Sequence, residues 1–197
     1  MPGPIVLLNG APRSGKSSIA AALQARNGES WINLGVDAVM ATLPESLRPG
    51  IGLRPGGERP DLEPAVQRLY AALFDSIAAH SRQGLAVVSD LGIHDGYSRP
   101  LGMWDDMQRR FASLPLLTVG VLCPIEAIMA RRNADPRGGF YAAGESVPAP
   151  VRRWQDAVHL GHDYDLTVDT SVITPETAAE LITASLKTKQ ARSGERA

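Results

Sequence analysis

Short apolar runs recur along the chain, and each is followed by a helical pattern or a loop. They read PIVLLN, WINLGV, LAVVSD, PLLTVGVL and DLTVDT, at residues 4–9, 31–36, 85–90, 115–122 and 165–170. Runs of this length without polar alternation are typical of strands buried on both faces, as in a parallel sheet covered by helices. The pattern predicts an α/β fold of three layers, with a five-stranded, mostly parallel sheet and helices on both faces.

Helical periodicity fills the intervals between these runs. The predicted helices cover residues 16–26, 37–42, 64–83, 101–112, 125–133, 150–158 and 175–186. In the third of them, apolar side chains recur every three or four positions and form one amphipathic face. The Gly/Pro-rich stretch at residues 43–60 is predicted to be a mobile loop near a substrate site, because a domain boundary there would fall very early in so short a chain.

Composition narrows the class of protein. A chain of 197 residues is long enough for one α/β domain, which we predict at residues 1–189, followed by a polar tail at residues 190–197. The formal net charge of −1 gives no general attraction to nucleic acid or to an anionic membrane, so neither is an expected partner. The single cysteine, Cys123, excludes an internal disulfide and suits a reducing cytosol, so a cytoplasmic location is expected.

The first loop carries the clearest chemical signal. Residues 10–17, GAPRSGKS, match G-x-x-x-x-G-K-[ST] at every fixed position, between a predicted strand and a predicted helix. Backbone N–H groups of such a loop and the following helix N-terminus converge on a phosphate. Lys16 is predicted to lie along the β- and γ-phosphate oxygens, and the Ser17 hydroxyl to bind Mg²⁺. The predicted nucleotide-binding residues are Gly10, Ala11, Pro12, Arg13, Ser14, Gly15, Lys16, Ser17 and Ser18.

Kinases, GTPases, motors and regulators all use such a loop. The chain lacks the N-K-x-D motif with which GTPases read guanine, and motor ATPases are usually larger. The size and the order of motifs predict a P-loop kinase-type fold that uses ATP and Mg²⁺ to phosphorylate a small-molecule hydroxyl. Two alternatives stay open: a nucleoside, nucleotide or other metabolite kinase, and a regulatory protein that hydrolyses ATP slowly. The acceptor, the preference between ATP and GTP, and the oligomeric state are not specified by any motif.

Two aspartates end predicted strands, where ligands gather in an open parallel sheet. Asp90 follows four small or apolar residues, so we predict that it is a Walker B acid that holds Mg²⁺, with Ser89 as an auxiliary contact. Asp37 is predicted to be the catalytic base that touches the acceptor hydroxyl. The alternative role for Asp37 is to cap the short helix that follows it.

Three late arginines and one histidine complete the candidate site. Arg131 and Arg137 are predicted to close over the phosphates as part of a lid at residues 131–147, which would exclude water. Arg132 could take the place of Arg131, and the alternative for all three arginines is a solvated helix face. His94 follows the third predicted strand and is either a substrate contact or a solvated loop residue.

An ordered set of strings carries a family resemblance. It runs LLNGAPRSGKSSIA, WINLGVDAVM, GLAVVSDLGIHDG, TVGVLCPIEAIMARR, AVHLGHDYDLTVDTS and TPETAAELI, over residues 5–186. The chain thereby resembles the chloramphenicol phosphotransferase family of P-loop kinases. The resemblance implies transfer of the ATP γ-phosphoryl group to the primary hydroxyl of chloramphenicol, which inactivates the antibiotic and confers resistance.

The resemblance also implies roles for single residues. Asp37, in the string GVD, matches the family's proposed base, and Arg131 and Arg137 match its late phosphate-binding arginines. The chain departs from the family pattern at Leu91, where a second acidic residue is common. It departs again at residues 135–136, where Asp-Pro interrupts the usual spacing of the arginines.

Overall fold

The computed structural model describes residues 1–26, 28, 30–136 and 143–194, with side chains through residue 191. The strands are β1 (Ile5–Asn9), β2 (Trp31–Asn33), β3 (Ala86–Leu91), β4 (Leu116–Leu122) and β5 (Leu166–Asp169). The α-helices of the described part are α1 (Lys16–Ala25), α2 (Val36–Thr42), α3 (Glu63–Arg82), α4 (Met103–Phe111), α5 (Ile125–Ala134), α6 (Ala149–Ala157) and α7 (Pro175–Gly194). Short 3₁₀ turns at Glu45–Leu47 and Gly50–Gly52 lie within the loop of residues 43–60.

All five strands are parallel, in the order β2-β3-β1-β4-β5. The prediction of an α/β fold with a five-stranded sheet is therefore confirmed. Every residue of the central strand β1 is buried, because other strands flank both of its edges and helices cover both faces. β3 and β4 lie on opposite sides of β1, so a crevice opens at the carboxyl end of β1.

Apolar side chains fill the space on each face of the sheet. On one face Tyr70 and Phe74 of α3 pack with Phe111 of α4, all three essentially inaccessible to solvent. On the other face Ile19 of α1 and Ile182 of α7 pack against the strands. The amphipathic face predicted for α3 is thus its buried face, and the helix is anchored along its length.

Most element boundaries lie within three residues of the sequence prediction, and the end of α7 differs most. α7 continues to Gly194, eight residues past its predicted end, so part of the predicted polar tail is helical. The reason is local: residues 187–192, KTKQAR, contain no helix breaker and consist mostly of good helix formers. The predicted lid is described only in part, since residues 131–134 form the last turn of α5 and residues 137–142 lie outside the described residues.

No α-helix in the described part of the chain is both long and apolar enough to cross a membrane.

Candidate active site

The loop of residues 10–17 joins β1 to α1 in the crevice. Gly15 has a φ of 97°, in the left-handed region that glycine adopts without strain, and α1 begins directly after it. The Lys16 ammonium turns back over the loop and donates to the carbonyl oxygens of Gly10 and Ala11 at 2.7 and 2.9 Å. Desolvation lowers the pKa of Lys16 to about 8, although the nearby carboxylates of Asp90 and Asp37 oppose that change. The side chain is therefore still mostly cationic at neutral pH.

The Ser17 hydroxyl and the Asp90 carboxylate lie side by side near this lysine. The Ser17 hydroxyl donates to Asp90 Oδ2 at 2.7 Å. Burial raises the pKa of Asp90, while the Ser17 hydrogen bond and the Lys16 charge act in the opposite direction. A hydroxyl and a carboxylate are the hard oxygen ligands that Mg²⁺ prefers, so the pair fits this ion. Among the described residues no group of three or more His, Cys, Asp or Glu could hold a metal, so phosphate oxygens and water would complete the coordination.

The role predicted for Ser89 is wrong. Its hydroxyl donates to the carbonyl oxygen of Leu34 at 2.5 Å and is buried away from Asp90. Successive residues of a strand point to opposite faces of the sheet, so Ser89 and Asp90 cannot both face the crevice. The Ser89 side chain instead binds the segment between β2 and α2.

Asp37 lies in the first turn of α2, and its carboxylate is exposed. The N-cap of α2 is Gly35, which has no side chain to cap the helix, so the alternative role of Asp37 as the cap is wrong. In the described part of the chain the Asp37 carboxylate accepts no hydrogen bond, although it interacts electrostatically with Lys16 and Asp90. It is therefore open to a ligand.

Gly35 explains how α2 approaches β3. A Cβ atom at Gly35 would stand 1.6 Å from Asp90 Oδ1 and 2.9 Å from the Asp90 carbonyl oxygen. Only a residue without a side chain fits there, so Gly35 allows the start of α2 and the Asp90 carboxylate to share one side of the crevice. The sequence motif GVD contained this glycine, but nothing in the sequence indicated what it would contact.

One cavity of about 740 Å³ unites these groups, and we call it the main cavity. Its polar end is formed by the phosphate loop together with Lys16, Ser17, Asp37 and Asp90. Its remaining walls are mainly apolar and comprise Val36, Met40, Pro49, Ile51, Leu53, Leu91 and Trp154. Arg13, Arg54, Glu58 and Arg59 complete its boundary. The loop of residues 43–60 thus forms much of one wall, opposite the phosphate loop.

Arg131 is fixed on the other side of the phosphate loop. Its guanidinium donates to the Arg13 carbonyl oxygen at 3.1 Å and to the Thr170 hydroxyl and carbonyl oxygens at 3.0 and 2.6 Å. Thr170 in turn donates to the Ser14 carbonyl oxygen at 2.6 Å. Arg131 and Thr170 line a second cavity of about 370 Å³, together with Arg13, Gly15, Lys16, Ser17, Ser18, Ile173 and Pro175, which we call the α1-side cavity.

Arg132 does not reach the phosphate loop. It is 5% exposed, lies beside Met129 and lines neither the main nor the α1-side cavity. Arg137 lies outside the described residues, so its predicted role is not tested. Of the two described arginines, Arg131 is the one that contacts the phosphate loop, and its role toward phosphate stays a prediction.

Asn9 is a residue that sequence reasoning missed. It ends β1 directly before the phosphate loop and is fully buried. Its side-chain oxygen accepts from the Ile93 N–H at 2.6 Å, and its amide donates to the Val158 carbonyl oxygen and the Tyr164 hydroxyl, both at 2.9 Å. Asn9 therefore joins the start of the loop to the segments after β3 and α6. The one available signal was a polar residue at the end of an otherwise apolar strand.

His94 is fully buried, so its interpretation as a solvated loop residue is wrong. The Gly96 N–H donates to its Nδ1 at 3.1 Å, which leaves the proton on Nε2 to be donated to the Leu53 carbonyl oxygen at 3.1 Å. The ring also contacts Trp154 edge-on, and Trp154 lines the main cavity. His94 thus supports the cavity wall from behind, and burial lowers its pKa to about 4.

Because His94 is neutral in the folded protein, the stability of the fold is expected to decrease in mild acid. Its pKa lies near 4 in the folded state against an ordinary value of 6.5, so the unfolded chain binds a proton first as the pH falls. The contribution is complete above pH 6.5 and is lost as the pH falls through 4. Between pH 7 and pH 5, the free energy of unfolding should therefore decrease by on the order of 2 kcal/mol.

Urea unfolding at pH 7 and pH 5 measures this effect. His94→Gln loses the contacts of the buried imidazole, so the variant should be less stable than the wild type at pH 7. Because glutamine cannot take up a proton, the variant should lose less stability on acidification. His80→Gln, on α3 and partly exposed, is the matched control and should keep the wild-type pH dependence. An equal loss in the wild type and in His94→Gln would contradict this account of His94.

Solved structures share this architecture over nearly their whole length. The APS kinase of Mycobacterium tuberculosis, in complex with AMPPNP and APS, has a TM-score of 0.63 at 15% identity, with 94% of this chain and 98% of that chain covered. A gluconokinase from Sinorhizobium meliloti 1021 gives 0.63 at 17% identity, with 100% and 98% covered. The tunicamycin resistance protein of Deinococcus radiodurans gives 0.62 at 19% identity, with 93% and 95% covered. At these identities the similarity shows the fold.

The family comparison is more specific. No curated protein sequence matches the chain. The model of the family described as chloramphenicol phosphotransferase-like protein matches residues 3–187, almost the whole chain, and so bears out the resemblance that the ordered motifs carried. The chain therefore belongs to the chloramphenicol phosphotransferase-like family, and it is a kinase of the P-loop class.

Proposed function

We propose that this kinase uses ATP and Mg²⁺ to phosphorylate a hydroxyl group on a small molecule with an apolar or aromatic body. One observation carries the proposal: a single cavity has catalytic groups at one end and mainly apolar walls elsewhere. The groups at the polar end are Lys16, the Ser17–Asp90 pair and the exposed Asp37 carboxylate. We infer a cytoplasmic location, because the one cysteine, Cys123, is buried as a free thiol and suits a reducing compartment.

The phosphate loop would hold the nucleotide. Backbone N–H groups of residues 10–17 and the N-terminus of α1 bind the phosphates, and the Lys16 ammonium moves from its contacts with Gly10 and Ala11 to the β- and γ-oxygens. Ser17 and Asp90 are the residues that would hold Mg²⁺. When bound there, Mg²⁺ would neutralise charge on the phosphate oxygens.

Asp37 would orient the acceptor. Its carboxylate is exposed at the polar end of the main cavity and can accept a hydrogen bond from a hydroxyl bound beside it. That bond aligns a lone pair of the hydroxyl oxygen with the phosphorus, and the Asp37 carboxylate receives the hydroxyl proton as transfer is completed. The apolar walls exclude water, which would otherwise compete as the acceptor.

The walls of the main cavity indicate the acceptor class. Val36, Met40, Ile51, Leu53 and Trp154 offer apolar contacts and few hydrogen bonds, so they favour an aromatic or aliphatic body over a polyhydroxylated one. Chloramphenicol, an aromatic compound with a primary hydroxyl, has this chemistry. Inactivation of that antibiotic is therefore the specific activity that we propose to test first.

The test is a panel of acceptors, scored by ADP release and by detection of the phosphorylated product in the presence of Mg²⁺. The panel contains chloramphenicol, a second apolar alcohol, shikimate, gluconate and a nucleoside. Product should form with chloramphenicol or with another apolar alcohol. Transfer only to shikimate, gluconate or the nucleoside would contradict the proposed acceptor class. ADP release that no acceptor stimulates would support the regulatory alternative instead.

Gly35→Ala is expected to reduce transfer by roughly 10- to 100-fold, through the metal site. The new methyl group would occupy the position of Asp90 Oδ1, so the carboxylate has to rotate away from Ser17. Activity should then require a higher Mg²⁺ concentration than in the wild type. A Mg²⁺ titration of the initial rate measures this change.

Gly144→Ala is the matched control for the Mg²⁺ requirement alone, because residue 144 falls within the predicted lid but lines neither cavity. A Cβ atom at Gly144 would meet its nearest atom, Arg132 Nη1, at 3.8 Å, an ordinary van der Waals distance. Its Mg²⁺ titration should therefore match that of the wild type. An unchanged titration in Gly35→Ala as well would show that Asp90 does not support the metal.

A further inference from the structure

Arg13 has an unusual backbone conformation for its residue type. It lies in the middle of the phosphate loop with a φ of 68°, and it is the one non-glycine residue with positive φ in the part of the chain that the structure describes. A side chain in the left-handed region is strained, and such strain is concentrated at functional sites. Glycine would fit this position without strain, so the presence of arginine indicates a use for its guanidinium.

That guanidinium is held at the end of α5. It donates to the Asp135 carboxylate at 3.1 Å, to the Asp135 carbonyl oxygen at 2.6 Å and to the Arg131 carbonyl oxygen at 3.3 Å. The Asp135 side chain is 61% exposed, whereas that of Arg13 is 13% exposed. The ion pair is thus formed with a carboxylate near solvent, where such pairs are weak and can exchange for a stronger anion.

Arg13 also stands between the two cavities. It lines the main cavity, with Asp37 and Asp90, and the α1-side cavity, with Arg131 and Thr170. Because Arg13 lines both cavities, its side chain is within reach of a triphosphate bound along the loop. Arg131, in contrast, lines the α1-side cavity but not the main cavity.

We propose that the Arg13 guanidinium, and not only the backbone of this loop residue, binds the triphosphate, and that Asp135 is the anion that holds the guanidinium in the absence of nucleotide. The proposal rests on the proposed function, because it requires that the chain bind ATP. A triphosphate carries several negative charges, and its oxygens can accept two guanidinium hydrogen bonds at once, so it attracts the guanidinium more strongly than one exposed carboxylate does. The Arg13 side chain then exchanges Asp135 for phosphate oxygens when ATP binds.

Binding of a non-hydrolysable ATP analogue, measured by calorimetry with Mg²⁺, tests the proposal. Arg13→Gly removes the guanidinium and suits the backbone conformation, so the variant should stay folded and bind the analogue about 10- to 100-fold more weakly. Asp135→Asn removes the competing anion but leaves Arg13 in place. It should bind the analogue at least as tightly as the wild type.

Arg26→Gly is the matched control, since it removes the same charge at the end of α1, beyond both cavities, and should bind the analogue normally. Equal weakening in Arg13→Gly and Asp135→Asn would show that the ion pair only stabilises the loop, which overturns the inference. Unchanged affinity in Arg13→Gly would overturn it too. If the wild type itself binds no analogue, the proposed function fails and the inference falls with it.

Discussion

Lys16→Ala is expected to lower phosphoryl transfer by roughly 10²–10³ or more, while the protein stays folded. The ammonium is the cation that the loop places nearest to the migrating phosphoryl group. In the structure it is already within the loop, donating to the carbonyl oxygens of Gly10 and Ala11, and the Asp90 and Asp37 carboxylates favour its charged form. Alanine removes this charge, and the phosphate loop has no second lysine to replace it.

Single-turnover transfer with saturating ATP separates this effect from weaker binding. Lys187→Ala removes an exposed lysine of α7 and is the matched control, with normal transfer expected. Thermal unfolding of both variants shows whether the fold is intact. Near-normal transfer by a folded Lys16→Ala protein would exclude the proposed role of Lys16, because no other lysine lines the main cavity that could replace it.

The parts of this molecule that could be predicted from sequence are those encoded by contiguous residues. Each strand of the buried sheet is a short apolar run. Because a strand covered on both faces requires no polar alternation, these runs were sufficient to predict the three-layer fold. The phosphate loop is likewise one unbroken string, residues 10–17, whose glycines, lysine and serine act on a single ligand. The placement of Asp37 and Asp90 at the crevice could be predicted from topology, since the carboxyl ends of parallel strands meet at one edge of the sheet.

The acceptor pocket could not be predicted, because it is assembled from separate segments. Met40, Ile51, Leu53 and Trp154 come from α2, the loop of residues 43–60 and α6, and each is an ordinary apolar residue in its own segment. Only the folded chain turns them toward one cavity. The burial of His94 could not be predicted for the same reason. A polar residue that follows a strand is expected to be solvated, but His94 is buried behind Trp154, which comes from a distant segment.

The sequence could not decide between Arg131 and Arg132 for a related reason. Helical spacing does not decide whether an arginine at the end of α5 points to solvent or inward, so Arg131 and Arg132 were indistinguishable in sequence. The structure separates them through Thr170, whose hydroxyl and carbonyl oxygens hold the Arg131 guanidinium against the phosphate loop. Thr170 lies 39 residues from Arg131, and no local pattern relates the two.

Asp37→Asn is expected to retain ATP affinity within a few-fold and to lose transfer by roughly 10²–10⁴. Asparagine keeps the shape and one acceptor oxygen but has neither the charge nor the basicity of the carboxylate. The Asp37 side chain is exposed at the polar end of the main cavity and holds no hydrogen bond within the described ranges, so the substitution should leave the packing unchanged. Because phosphoryl transfer is largely dissociative, much of the loss should come from poorer positioning of the acceptor hydroxyl.

The rate of transfer and the affinity for an ATP analogue, measured on the same preparation, decide the role of Asp37. Asp105→Asn is the matched control, since Asp105 is also an exposed aspartate in the first turn of a helix, α4, and lies outside the main cavity. Weak binding of the analogue by Asp37→Asn would instead place Asp37 in the magnesium shell. Transfer at the normal rate would show that another carboxylate is the base. Glu58 would then be the first to test, because it lines the main cavity and Asp95 does not. Both carboxylates already accept hydrogen bonds, Glu58 from Arg54 and Arg153 and Asp95 from the backbone N–H groups of Leu101 and Gly102.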